Sequence, residues 1–510
     1  MKYYLSNSTL LTNATKKDII VLYLNGWDDW FTYSTLYNLY YYDLTENRTH
    51  IGSIKIGQAN MVTGQRSPQL PEFFENLNNE FFSVGQDVSY YETLNKYGED
   101  FRDKVLTTLN DIAKDENLFK EALKENVTKI SLLRSVSVTS VEGQFRRLAQ
   151  GNAELTPYNF KYIAPKLNKA VVPGMELSFS VTPNSNPPTN IHVVIGRNGV
   201  GKTHLFNGMI NSLLKENSIV SKDGRFISDE ENIENLFANL VSVSFSAFDE
   251  SNPIDEKKDK TKGLNYSYIG LKRAGKENEK LPPKSPTILK NEFVKSVEKC
   301  RLGAKNERWI KALEMLEADP IFNEAEVSRI AKLDLEDEFV ELASDTFNKL
   351  SSGHKIILLT VTRLVETVEE RSLVLLDEPE AYLHPPLLSA FIRALSDLLV
   401  KRNAVAIIGT HSPVVLQEVP KSCVWKLRRQ GANAIAERLE IESFGENVGI
   451  LTQEVFGLEV TDSGFHRILR NLSNNSLSFE EATNTLDNQL GLEAKAILRN
   501  LIFKKNNASD

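Results

Sequence analysis

Cysteine is nearly absent: 510 residues hold 2, Cys300 and Cys423, too few for a disulfide framework and without the CxxC or Cys/His spacing of a zinc site. A reducing cytoplasm is the expected compartment. Long apolar runs are missing too. The longest apolar runs, such as Leu373 to Leu376 and Val405 to Ile408, have strand length, so no membrane span is expected. The start, MKYYLSNSTLLTN, lacks an apolar stretch with a small-residue cleavage site, which argues against secretion. Charge of one sign is also lacking. With 60 Lys plus Arg against 68 Asp plus Glu, a net charge of −8, any basic nucleic-acid surface must be local. The 41% apolar share is enough for a proper core, which excludes disordered, collagen-like and mucin-like chains. The length allows roughly two to four domain-sized units.

Strand-like alternation runs through Ile19 to Leu24, Phe31 to Tyr42 and His50 to Gly57, which predicts a small antiparallel unit. From about Tyr90 the period changes to 3.6, predicting a helix to about Ala113, then a second over Asn117 to Glu125. Ser131 to Gly151, with Arg134, Arg146 and Arg147, reads as a connector packed on the next domain. The cluster Tyr37, Tyr40, Tyr41 and Tyr42 is either a base-stacking surface or a set of half-buried strand aromatics, the commoner case. Between about Asn252 and Lys290 no period is convincing, and the window 251–310 holds 15 basic against 8 acidic residues. This basic insert, with Lys257, Lys258, Lys260, Lys272, Arg273 and Lys276, is either a solvated loop or a contact for nucleic acid or a partner.

The strongest motif is the apolar run Ile191 to Ile195 followed by Gly196-Arg197-Asn198-Gly199-Val200-Gly201-Lys202-Thr203-His204 and an apolar helical stretch. A buried strand entering a Gly-rich turn at a helix start aims successive N–H groups at one point, where the helix dipole adds positive potential. A polyphosphate is the natural ligand, with Lys202 on its β and γ phosphates and the Thr203 hydroxyl on Mg2+. Further on, Leu373 to Leu376 leads into Asp377-Glu378-Pro379. Two adjacent carboxylates at a strand end beside a phosphate loop offer one, Asp377, to the metal and the other, Glu378, to the attacking water.

Leu350-Ser351-Ser352-Gly353-His354-Lys355 opens a helical stretch before that strand, and Val405 to Ile408 ends in Gly409-Thr410-His411-Ser412-Pro413. In this order the motifs resemble the ABC-type ATPases over roughly residues 170–430: P-loop, signature, DEP-type second motif, switch histidine. The resemblance implies an α/β fold, an ABC-type P-loop head with a mixed sheet, flanking helices and a helical signature lobe. It implies ATP and Mg2+ as cofactors and a homo-oligomer, at least a dimer. In it Ser351 and Gly353 would act in trans on the γ-phosphate of ATP held by the other copy, and His411 would sense it in cis. His354 and His384 read as structural.

The domains expected on this basis are an N-terminal β/α extension over 1–150, an ATPase lobe with the P-loop over 151–250, the basic flexible insert over 251–290, a helical lobe over 291–349, the signature, second motif and switch over 350–430, and a helical tail over 431–510. Three departures stand out. The signature reads LSSGHK instead of LSGGQ. The strand Leu240 to Phe248 has no Gln for the usual metal-proximal loop, leaving Ser246 or Asp249 as substitutes. PEAYLHP after Glu378 has no recognisable D-loop aspartate.

The spacing from Thr203 to Leu350 excludes long coiled-coil arms, and the missing Gln and D-loop argue against a transporter subunit. DEPEAYLHP with a THSP switch is closer to the RecF-like and overcoming-lysogenization-type ATPases, but no Asp-x-Asp follows His411 to build a TOPRIM nuclease. The phrases Pro187 to Gly199 and Val243 to Asp249 resemble the PtuA-type ATPases of Septu and retron antiphage systems. That resemblance implies a cytoplasmic ATPase that senses or scaffolds for a separate HNH nuclease. The alternatives are an AriA-type ATPase holding a TOPRIM effector, a RecF-like DNA-repair clamp on duplex DNA, and a nearly non-hydrolysing nucleotide-bound scaffold.

Overall fold

The computed structural model describes the chain except for residues 13–15, 26–31, 62–63, 152–154, 167–173, 215–219, 229–235, 246–251, 258–263, 276–280, 302–303, 333–335, 431–432, 458–463, 476–477 and 508–510. Its first sheet contains β1 (Lys2–Leu5), β2 (Ile19–Leu24), β3 (Leu36–Tyr42), β4 (Arg48–Gln58), β5 (Phe73–Phe74) and β6 (Phe81–Gly85), in the order β5-β1-β2-β3-β4-β6. The three strands read from the sequence, β2, β3 and β4, pair antiparallel as expected, while β1, which the alternation did not reveal, lies parallel to β2 with Lys2 beside Ile19 and makes the sheet mixed. Parallel neighbours need a crossover, and the short helix Thr9–Thr12 lies within it. The tyrosines are strand aromatics. Tyr37, Tyr41 and Tyr42 are buried, and the Arg48 guanidinium sits 3.7 Å over the Tyr40 ring, where a base would have to stack. The long helix expected after Tyr90 is two helices, Val88–Lys96 and Glu99–Thr108, broken at Gly98 where φ is 93°, a region glycine enters freely.

The remaining strands are β7 (Tyr158–Ile163), β8 (Glu176–Val181), β9 (Ile191–Ile195), β10 (Arg225–Ile227), β11 (Asn239–Ser244), β12 (Asn265–Gly270), β13 (Leu373–Asp377), β14 (Val405–Thr410), β15 (Val424–Gln430) and β16 (Asn433–Glu437). Strands β10-β7-β8 form an antiparallel sheet, and β12-β11-β13-β14-β9-β15-β16 form the central one, parallel except for the edge strand β16. Alternate side chains of β9 serve opposite cores. Ile191, Val193 and Ile195 pack with the helices Pro286–Cys300, Ala304–Leu316 and Ser352–Thr367, while Val194 joins Phe160, Phe179 and the P-loop helix Lys202–Leu214. This is an α/β architecture, a mostly parallel sheet covered by helices, with a glycine-rich loop leading from β9 into a helix.

Two expectations change here. The basic stretch thought to lack a period contributes β12 to the central sheet, because Tyr266, Tyr268 and Ile269 bury against β11 between lysine-rich flanks. The region expected to be a helical tail begins with β16, and its later helices share a small core of Leu469, Ala482, Leu498 and Ile502.

The first sheet's module is tied to the helices around the central sheet by ion pairs: Lys305 to Asp87 at 2.6 Å, Arg402 to Glu92 at 3.1 Å and Arg147 to Glu370 at 2.8 Å. Arg147 lies in the stretch Ser131 to Gly151, and beside it the side-chain carbonyl of Gln144 accepts the Glu370 N–H. Among the described residues no helix is long and apolar enough to cross a membrane.

Candidate functional site

The register of the central sheet sets the site. Strand β14 lies between β9 and β13, pairing Thr410 with Ile195 and Gly409 with Asp377, so the last residues of three strands meet at one edge. Ligands of open parallel sheets bind at this carboxyl edge.

After Ile195 the chain turns at Gly196, where a Cβ would stand 2.7 Å from the Leu427 carbonyl oxygen of β15. Gly199 and Gly201 then adopt φ of 77° and 105°, and the helix begins at Lys202. Lys202 is buried, with its ammonium donating to the carbonyls of Gly196 (3.0 Å) and Arg197 (3.3 Å) and lying 3.7 Å from Glu378 Oε1. Thr203 Oγ1 donates to Asp377 Oδ2 at 2.6 Å. That pair is the arrangement a hydroxyl and a carboxylate need to share one Mg2+. Gly409 keeps the carboxylate's place open, since a Cβ there would come within 3.1 Å of Asp377 Oδ1.

Glu378 has φ 48° and ψ 57°, a left-handed conformation that costs a non-glycine residue about 1–3 kcal/mol. Its N–H is fixed to the Gly409 carbonyl at 2.8 Å, and Pro379 follows at the start of a 3-10 turn. The carboxylate thus sits between Lys202 and His411, whose Nδ1 is 3.8 Å away.

Sequence reasoning missed the residue that aims the histidine. Glu380 Oε1 accepts from Thr410 Oγ1 (2.6 Å) and the His411 N–H (2.8 Å), and stands 3.1 Å from His411 Nδ1. The signal was present as the second Glu of DEPE, two residues from Glu378.

Lys202, Thr203, Asp377, Glu378 and His411 are therefore one cluster. Ser351 and Gly353 share no hydrogen bond or ion pair with it. Ser351 precedes the helix Ser352–Thr367, and its Oγ is 2.6 Å from His354 Nδ1; His354 Nε2 in turn is 3.0 Å from Asp319 Oδ1. Gly353 permits the close approach of the turn after Pro379, since a Cβ would meet the Tyr382 carbonyl at 2.5 Å. The loop residues Arg197, Asn198 and Gly199 are exposed, as is His204, and Val200 is buried. An open cleft lies beside the P-loop, lined by Tyr162, Pro165, Met175, Val200, Gly201 and His204.

The end of β11 runs beside Asp377 through the pair Ser244 and Asp377, so the chain leaves the sheet after Ser244 next to the metal-type carboxylate. Ser246 and Asp249 themselves lie outside the described residues, as do Lys258, Lys260 and Lys276 of the basic stretch. Lys257 is not a free contact: its ammonium donates to the Leu214 carbonyl at the end of the P-loop helix, at 2.8 Å.

Residues 302–417, from the helix Ala304–Leu316 through the switch, match the family described as "AAA domain, putative AbiEii toxin, Type IV TA system". Solved structures similar to the chain include cbiO1 from Clostridium perfringens, part of the ABC transporter complex cbiONQ (16% identity, 61% of this chain and 98% of that one, TM-score 0.30). Another is a nucleotide-free ATP-binding cassette from an ABC transporter (14% identity, 58% and 95%, TM-score 0.30). The glycine-rich loop that opens a helix at the carboxyl edge of the parallel sheet is a P-loop arrangement, and the AAA family match covers the segment that carries the signature, the second motif and the switch. Protein ea59 of Escherichia phage lambda is 40% identical over 521 aligned positions, 96% of each chain. The chain belongs to the family of protein ea59 of Escherichia phage lambda.

Proposed function

We propose that the chain is an ATP-hydrolysing switch that pairs two copies around ATP. The observation that carries this reading is the convergence of an ammonium, a hydroxyl–carboxylate pair, a second carboxylate and a histidine at the end of one parallel sheet. In the reading, Lys202 and the N–H groups from Gly196 to His204 hold the phosphates, Thr203 and Asp377 hold Mg2+, Glu378 draws the proton from water, and His411 meets the γ-phosphate. The largely apolar cleft at Tyr162, Pro165 and Met175 has room for the base.

Ser351 and Gly353, which share no hydrogen bond or ion pair with this cluster, complete the site of the other copy in this reading. A helix start is itself an anion site, so ATP becomes the bond between two chains.

The trans arrangement is tested by mixing two inactive chains, Ser351→Arg and Lys202→Ala. A mixed pair keeps one complete composite site, so partial ATPase activity is expected. No recovery at any ratio, with mixed oligomers demonstrated by mass, would contradict it.

The finer reading is a Septu PtuA-type ATPase, cytoplasmic, whose ATP state restrains a separate HNH nuclease in antiphage defence. It is supported by the phrases Pro187 to Gly199 and Val243 to Asp249. Lys272 and Arg273, with Lys295, line a cleft where Lys284 and Lys299 are paired with Glu292 and Glu366, and are the proposed contact for that effector or for nucleic acid.

A further inference from the structure

Away from the P-loop cluster, two imidazoles and a carboxylate from three different elements converge. Asp319 stands before the short helix Pro320–Glu324, His354 is in the first turn of the helix Ser352–Thr367, and His384 precedes the helix Pro385–Arg402. His354 Nε2 is 3.0 Å from Asp319 Oδ1, and His384 Nε2 is 3.5 Å from Asp319 Oδ2. One ligand atom from each residue lies within 4.8 Å of the other two. We propose that Asp319, His354 and His384 bind one divalent transition-metal ion of the zinc and cobalt class, through a carboxylate oxygen and the two Nε2 atoms.

The spacing suits such an ion. Ligand atoms about 2.0–2.2 Å from a tetrahedral centre stand about 3.3 Å from one another, and each Nε2 lies near that distance from one Asp319 oxygen, His354 from Oδ1 and His384 from Oδ2, so the carboxylate must turn to present one oxygen to both. Two imidazoles with one carboxylate favour zinc or cobalt over magnesium or calcium, which take oxygen ligands. The ring centroids are 6.4 Å apart, so they must close by about 1 Å around an ion. His384 can make that movement. Its side chain is 52% exposed, and its Nδ1 accepts only a 3.4 Å bond from the Leu387 N–H, which breaks when an ion on Nε2 places the ring proton on Nδ1. The same exposure leaves a fourth position to water.

The ion would reverse one hydrogen bond. The Asp319 carboxylate can only accept, so the His354 proton facing it sits on Nε2, Nδ1 accepts, and the Ser351 hydroxyl donates inward. An ion on Nε2 moves the ring proton to Nδ1, which then donates to Ser351 Oγ and frees the hydroxyl hydrogen for an outside acceptor. Through the proposed trans role of Ser351, the ion would strengthen ATP-driven pairing. This coupling rests on that reading, whereas the binding site does not.

The test titrates Co2+ into the tag-free, nucleotide-free full chain, reading the intense visible absorption of four-coordinate cobalt, which an all-oxygen octahedral site does not give. One ion per chain is expected, with affinity at least about 10-fold weaker in both His384→Ala and Asp319→Asn. Asn caps a helix as well as Asp, so the second variant keeps the fold. No four-coordinate spectrum in the wild-type chain, or unchanged affinity in both variants, overturns the site. With Zn2+ bound, ATP-driven pairing of the wild-type chain should rise at least about 5-fold and that of His384→Ala should not. Ion binding that leaves pairing unchanged overturns the coupling, and absence of pairing with or without the ion counts against the trans reading instead.

Discussion

Replacing Glu378 with Gln is expected to slow ATP turnover at least about 100-fold, about 2.7 kcal/mol in barrier height, while nucleotide binding persists. Gln keeps the shape of the side chain on its left-handed backbone and its contacts with Lys202 and His411, but it cannot take a proton from water. Binding should in fact tighten a few-fold, because Glu378 Oε1 lies 3.7 Å from the Lys202 ammonium and repels the phosphates the lysine attracts. Equal turnover in variant and wild type, measured as phosphate release, would remove Glu378 from the chemistry.

The Lys202→Ala variant should fail earlier, at binding, with ATP affinity reduced at least about 100-fold. Lys202 is the cation buried within the P-loop, 4% exposed, and its ammonium already rests between the loop's own carbonyls and Glu378. Removing it leaves Glu378 and Asp377 facing the phosphates across Mg2+ alone. The comparison is made by equilibrium binding on chains with matched thermal melts, since a general loss of fold would lower affinity too. Retained affinity would contradict the placement of the β and γ phosphates.

The parts of the site legible in the sequence are those that phosphate chemistry forces to be contiguous. Gly196 to Thr203 and Asp377-Glu378 each come from one turn, so composition and order carry the geometry, and the sheet only had to bring the turns together. What escaped depends on partners far apart in the chain. Asp319 and His354 are 35 positions apart and meet through packing, which leaves no periodic signal. Glu380 stood in plain view, but its role depends on Thr410 and His411, on the neighbouring strand.

The same distinction holds for the fold. The buried strands β13 and β14 announce themselves as continuous apolar runs, and β9 by the apolar residues around His192, as parallel strands covered on both faces do. Strand β12 is short, half tyrosine and serine, and set among lysines, so only its pairing with β11 reveals it. The break at Gly98 and the parallel pairing of β1 with β2 were missed for related reasons. One glycine does not interrupt the helical period, and β1, four residues long, is too short to show an alternation.

The central claim, that ATP joins two copies of the chain, is tested most directly by the solution mass of the Glu378→Gln variant with and without Mg-ATP. A shift from one 57.5 kDa chain to a pair on adding ATP, abolished by adding Ser351→Arg to the same chain, is the predicted result. An ATP-bound variant whose mass is the same with and without nucleotide would contradict it.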